Sequence, residues 1–427
     1  MKVVYPICCG IDVHKRLLIA TIITTKKDLL TPTYQKKRFS TFNNQILALK
    51  NWLIENNCFD VCMESTGKYW IPVFNLLEDQ INVVVANPKW VRAVKGNKDD
   101  VKDSKWIAEL FRMGLVRNSF IPEKAIRDLR EFTRYRARLV SQRSSEKNRL
   151  QNAFTVGNVA MDAVVSDMFG QSSKKVRNYL ISTDQFDPDY CLTLLHGRMK
   201  PKGQELIESI EGYSFSVEQI LRIQLIDEHI TYLDHSIKLI DMTLDRMISS
   251  NEPVVQLLCT IPGIKRQSAI QIISEIGTDM TQFQSSKQLT CWAGLAPSSN
   301  ESAGKKKSVR ISRAGVYLKQ ILVQCSHAAI KAVKESCYYQ IKYQKLSKRR
   351  GKKRSIIAIS RMILTAIYHM LSTGEVWNPT DIDQVDMPEQ LVNKRKELAI
   401  KNAKNLLIKE GIIPNEFQLL FGVIQKE

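Results

Sequence analysis

"PICCGIDVHKRLLIATIITT", residues 6–25, carries two apolar runs separated by a short charged turn. The first run ends in Asp12, and the second, from Leu17 to Ile23, is rich in β-branched residues. This pattern predicts a hairpin with a carboxylate on its first strand. Outward from it, residues 44–56 ("NQILALKNWLIEN") have apolar positions at helical spacing. "FDVCMES" reads as a strand ending at Glu64, a helix follows over about 69–78, and "INVVVANP" is a buried-type strand stopped by Pro88. Strands alternating with helices predict an α/β domain on a mixed sheet.

Residues 96–110, "GNKDDVKDSKWIAEL", open the next helix, which runs to about Met113. Asp99, Asp100 and Asp103 crowd its start. One reading is capping: acidic side chains at the positive end of a helix. The other is metal binding. Asp100 and Asp103 are three apart and share one helical face, with Cβ atoms roughly 5–6 Å apart. Asp12 and Glu64 end strands. Four hard oxygen ligands of this kind suit Mg²⁺, and two such ions about 3.5–4 Å apart clamp both oxygens of a phosphodiester displacement.

The totals point to a polyanion. Lys+Arg number 63 against 43 Asp+Glu, a net charge of +20, and nucleic acid is the usual partner of such an excess. No apolar run approaches the roughly 18–20 residues that span a bilayer, and the first residues lack a signal-peptide pattern. A cytoplasmic, nucleoid-associated protein is expected. Nine cysteines without a CxxC pair read as reduced, mostly buried thiols.

Beyond residue 122 the pattern turns helical. Residues 123–154 form one long helix with nine Lys/Arg against four Asp/Glu. Arg127, Arg130, Arg134 and Arg138 fall in a stripe that reads as a phosphate-tracking face or a solvated one. In residues 217–248, Ile223, Ile226, Ile230, Leu233, Ile237, Ile240, Leu244 and Met247 alternate by three and four, a coiled-coil seam. Its partner is either the Arg-rich helix or a second subunit, and self-association is favoured. "TIPGIKRQSAIQIISEIG" breaks at Pro262–Gly263 and resembles a helix-hairpin-helix, with Lys265 where a second glycine is usual; a core helical hairpin is the other reading. Residues 287–313 read as a Ser/Gly/Lys-rich loop, with helices at about 316–344 and 355–372. "KLSKRRGKKR", residues 345–354, holds seven basic residues in ten and reads as a disordered or a nucleic-acid-ordered loop, with Arg349, Arg350, Lys352 and Lys353 as candidate nucleic-acid contacts. The expected divisions are 1–122, 123–252, 253–375 and a tail, 376–427.

"GIDVHK", "MESTGKYW" and "KDDVKDSKWIAELFRMGLV" together resemble the DEDD motifs of a bacterial transposase family, insertion-sequence family 110, which includes the Piv-type DNA invertases. The segment running from "TIPGIKRQSAIQIISEIG" through "FQSSKQLTCWAGLAPSSNESAGKKKSVRISRAG" is similar to its second conserved domain. The resemblance implies a RuvC-like, RNase H-type fold for the first domain. It implies that Asp12, Glu64, Asp100 and Asp103 are the ligands of Mg²⁺ or Mn²⁺, with Asp99 a cap or bystander. The family often has threonine at the position of Asp99 and alanine at that of Ser104. It further implies that Ser302 attacks phosphorus to give a phosphoserine–DNA intermediate. Lys305, Lys306, Lys307 and Arg310 would stabilise the charge that develops there. Donor and target DNA would be selected through a structured guide RNA, by a homo-oligomer. Two other readings stand beside it: a RuvC-like nuclease that uses water, and a non-catalytic basic scaffold.

Overall fold

The hairpin forms where residues 6–25 predict it, as β1 (Ile7–Val13) and β2 (Leu17–Thr24). The computed structural model describes residues 3–25, 31–65, 67–88, 100–183, 185–297, 300–302, 305–308, 310–332, 338–379, 381, 393, 397 and 400. Two units divide the chain, Met1–Ile121 and Pro122–Glu427.

In the first unit β3 (Thr33–Ser40), α1 (Asn43–Glu55), β4 (Asp60–Glu64), α2 (Trp70–Leu77), β5 (Asn82–Ala86) and α3 (Asp100–Arg112) follow the hairpin. The sheet order is β3-β2-β1-β4-β5. The first three strands are antiparallel; β4 and β5 run parallel to β1. Cys9, Ile11, Val13 and Met63 pack on the side of α1 and α2. Cys8, Ile23, Cys62 and Val84 pack against Ile107, Ala108 and Phe111 of α3. Cover on both faces explains why β1 and β2 read as continuous apolar runs rather than alternating ones. A mixed sheet with helices on both sides is consistent with the expected RNase H-like DEDD domain.

The second unit is mostly helical. α4 (Lys124–Val156) is followed by four short helices, α5 (Met161–Val164), α6 (Gln171–Ser182), α7 (Pro188–Thr193) and α8 (Gly203–Glu208), and then by α9 (Val217–Met247). A capping box, Ser216 with Gln219, starts α9. α9 packs antiparallel along α4, with Arg136 paired to Asp241, Arg143 to Asp234 at 2.6 Å, and Glu146 to His229 at 3.4 Å. The seam residues Ile223, Ile230, Leu233, Ile237, Ile240 and Leu244 are buried. The Arg-rich helix of the same chain therefore covers them. The short helices close over one end of this pair, around Phe154, Leu180 and Ile210.

α10 (Glu252–Cys259) and α11 (Arg266–Ile276) flank the Pro-Gly turn. That turn is packed, not open. Ile261, Pro262 and Ile264 are buried, and Gly263, at φ +87°, lies so close to α13 (Val316–Ala329) that a Cβ there would stand 2.4 Å from the Ala329 nitrogen. The hairpin is thus part of the core. α12 (Ser286–Trp292) and a two-stranded hairpin, β6 (Asn300–Ser302) and β7 (Lys305–Ser308), lie where the sequence suggests one loop.

The helix expected over 316–344 is two helices, α13 and α14 (Tyr338–Arg350), and α15 (Lys352–Thr373) follows. The basic segment 345–354 is helical on both sides of Gly351 (φ +79°), which corrects the expectation of a disordered loop. Lys and Arg are good helix formers, and apolar neighbours fix the two helices: Tyr339 and Ile341 on α14, Ile359 and Ile363 on α15 are buried. α15 is also long and apolar enough to cross a membrane by length and composition, at a mean hydropathy of 1.4. Its apolar face instead packs against α12, α13 and α14.

Candidate active site

Strand register builds the site in the first unit. Asp12 pairs across the hairpin with Ile19, and Ile19 with Arg38 on β3. On the other side Ile11 is level with Met63 on parallel β4, so Asp12 comes level with Glu64, which pairs with Ala86. Neighbouring strands lie about 4.8 Å apart. Asp12 and Glu64 therefore share one row and one face of the sheet. It is the face that also carries Gly10 and Cys62, two residues back along each strand, and that α3 covers.

Asp12 is 7% exposed, and its Oδ2 stands 3.0 Å from His14 Nε2. Glu64 and Asp103 are half-buried. Asp100 is the first residue of α3; its side chain and residue Asp99 lie outside the described residues. Both α3 acids occupy the first turn, where the helix dipole favours negative charge. Capping and metal binding are compatible here, since the same turn serves both.

Close packing and a few hydrogen bonds seat this helix. A Cβ at Gly10 would stand 2.3 Å from the Ser104 carbonyl oxygen and 2.4 Å from the Ala108 nitrogen. Only glycine lets α3 approach β1 so closely. Ser104 Oγ and Thr21 Oγ1 are hydrogen-bonded at 2.8 Å, fully buried. The serine that stands where the resembling family often has alanine is thus a fixed part of the packing. At the far end, the Arg112 carbonyl accepts from the Val4 and Tyr5 amides at 2.9 and 3.2 Å, and Tyr5 stacks on Phe111 at 4.3 Å. The acid-bearing turn is thereby held over the row of Asp12 and Glu64. A glycine inside an apolar strand was the sequence signal for this close approach.

The four expected ligands are all carboxylates, a hard set of the kind that suits Mg²⁺ or Mn²⁺. Among the described residues no three His, Cys, Asp or Glu side chains are grouped closely enough to hold a metal ion. Asp100, whose side chain is outside that description, is one of the four expected ligands.

In the second unit, Ser302 is the last residue of β6 and pairs with Lys305 of β7, at the tip of the hairpin. The side chains of Ser302, Lys305, Lys306 and Lys307 lie outside the described residues, as do Ser298 and Ser299. Arg310 is exposed just after β7, and so are Lys265, Arg349, Arg350, Lys352 and Lys353. The α4 stripe divides. Arg138 is exposed, and Arg127 donates to the Pro122 carbonyl at 2.9 Å. Arg130 donates to the carbonyls of Ser274 and Glu275 at 2.9 and 2.7 Å, satisfying the last turn of α11. Arg134 makes a bidentate pair with the buried Glu275 carboxylate at 2.7 and 2.8 Å. These two arginines face protein, not a continuous solvent stripe.

Comparison with known proteins agrees with both halves. Residues 9–157 match the DEDD transposase family model of IS110, and residues 255–340 match the family described as "Transposase IS116/IS110/IS902 family". The two matches together span more than half of the chain. The chain is 23% identical over 325 residues to the transposase for insertion sequence element IS1111A of Coxiella burnetii, covering 74% of this chain and 79% of that one. It is 32% identical over 158 residues to the pilin gene-inverting protein of Moraxella lacunata, 34% of this chain and 44% of that protein. The counterpart of Moraxella bovis is 30% identical over 161 residues, 34% of this chain and 46% of that one. On these matches the chain belongs to the IS110 family of DEDD transposases.

Proposed function

We propose that the chain is a DNA recombinase that moves a genetic element by cutting and rejoining strands at a carboxylate-held metal site. The observation that carries this is the register that sets Asp12 beside Glu64 under the acidic first turn of α3. Asp12, Glu64, Asp100 and Asp103 would hold Mg²⁺ or Mn²⁺. The metal, when bound, would polarise the scissile phosphate and offset its developing charge. Asp99 is left to capping.

Ser302 is the nucleophile in this reading. Its hydroxyl oxygen forms a bond to phosphorus, and the 3′-oxygen of the cut strand leaves. The serine ester keeps the bond energy for rejoining. The hairpin tip is a suitable mount for an attacking group, and Lys305, Lys306, Lys307 and Arg310 supply positive charge around it. A structured guide RNA selects donor and target, so that protein contacts go to backbone and shape while base pairing carries sequence. The exposed Lys265 and the basic residues flanking Gly351 fit that load.

The chain acts as a homo-oligomer. A second row on α9, Leu221, Leu225, Tyr232, Leu239 and Met242, is exposed. Paired antiparallel with a second copy about Tyr232, it sets Leu225 against Leu239 and Glu218 against Arg246.

The test is excision of the element in cells, joined to adduct trapping on a nicked suicide substrate. Asp12→Ala and Glu64→Ala each abolish excision. Ser302→Ala abolishes both excision and the covalent adduct while DNA binding persists. Wild-type activity without any adduct would favour hydrolysis by water. Undiminished excision in the two acid variants would leave only a basic scaffold.

A further inference from the structure

We propose that β3 of the first unit is a binding track for the DNA strand whose phosphate reaches Asp12 and Glu64, with Arg38 and Lys36 as its phosphate contacts. The proposal rests on the carboxylate reading given above and adds to it where the strand lies.

β3, "TYQKKRFS", is the outermost strand on its side of the sheet and is exposed over most of its length. Alternation divides its side chains between two faces. Phe39 is buried on the α1 face, near Trp52. Tyr34, Lys36 and Arg38 therefore belong to the opposite face. Tyr34 verifies this, because its hydroxyl donates to Glu109 of α3 at 3.1 Å and Lys105 of α3 stands 4.0 Å over its ring. Register then places the cations. Arg38 is level with Ile19 and Asp12, and Lys36 with Thr21 and Gly10. Arg38 thus stands in the same row as the two acids, two strands from Asp12, or about 10 Å at the usual strand spacing.

A phosphodiester approaching Asp12 and Glu64 meets like charge. Cations at the open end of the same row offset that repulsion and hold the strand beside the acids rather than away from them. Arginine also matches phosphate geometry with two parallel N–H donors. A simpler account is that charged residues on an edge strand only prevent pairing with another edge. That account does not call for cations on the acid-bearing face.

The probe is an end-labelled duplex of random sequence, titrated with the full chain across a salt series. Lys36→Gln with Arg38→Gln raises Kd about tenfold or more at ~0.1 M salt and lowers the slope of log K against log salt by about 2, close to 0.9 per lost phosphate contact. Arg38→Lys keeps the slope. As a second check, which reads proximity rather than affinity at saturating protein, Arg38→p-benzoylphenylalanine crosslinks to the duplex and Gln35→p-benzoylphenylalanine, on the opposite face, does not. An unchanged slope in the double variant, or equal crosslinking from both positions, overturns the track. Binding reads the track without any chemistry. Full excision by Asp12→Ala would therefore sink the carboxylate reading alone, while the slope still judges Arg38 and Lys36.

Discussion

At the residue scale, the geometry of the site depends on an atom that is missing. Gly10 has no Cβ, and its neighbours across the gap are backbone atoms of α3, which cannot rotate aside. Gly10→Ala therefore costs about 3 kcal/mol through overpacking and displaces the acid-bearing turn. A lowered melting temperature together with lost excision checks it; a variant as stable and active as the parent would show that α3 sits elsewhere. Nearby, burial pushes the Cys8, Cys58 and Cys62 thiols up to about 12 from the ordinary value of 9.0, and burial raises the Cys9 thiol well above its ordinary value too. In the unfolded chain these thiols ionise first. The stability they confer is therefore complete below about pH 9 and is lost as the pH climbs from there towards 12. Urea midpoints at about pH 8 and about pH 10.5 should differ in that sense, with a smaller difference in Cys62→Ala. The places of Asp12 and Glu64 near strand ends were legible because the apolar runs that form β1 and β4 reach them. The Thr21–Ser104 hydrogen bond was not, since it joins residues far apart in sequence that nothing local connects.

At the element scale, the arginine stripe of α4 shows what spacing can and cannot convey. Spacing put Arg130 and Arg134 on one face; it could not tell that α11 lies against that face. Arg130 satisfies the end of α11, and Arg134 neutralises Glu275, which is 6% exposed. Glu275→Ala removes the counter-charge of both and costs about 3 kcal/mol, at the low end for a buried pair because Arg134 still meets water. Denaturant unfolding measures it, and a change under ~1 kcal/mol would mean that the pair is solvated. The basic segment failed as a loop for a related reason. Its charge says nothing against a helix when Tyr339 and Ile359 anchor each side of Gly351.

On the scale of the molecule, the sheet and its helices followed from alternating runs, which register locally. The partner of the α9 seam did not, because a seam defines a surface and not its occupant. The net charge of +20 likewise indicated a polyanion without saying which basic residues serve it and which hold the helices together. The ladder between α4 and α9 has its own consequence for length. Arg136 and Arg143 are seven residues apart on one helix, and their partners Asp241 and Asp234 are seven apart on the other. The hairpin is thus a strut of repeating units, about 50 Å long at the helical rise. Deleting one seven-residue unit from both helices should shorten it by about 10 Å with the pairing intact and the chain folded. Deleting it from α4 alone should leave every rung out of step and unfold the pair. Circular dichroism melts of the two deletions would tell them apart, and the matched one would make the strut's span an adjustable spacer.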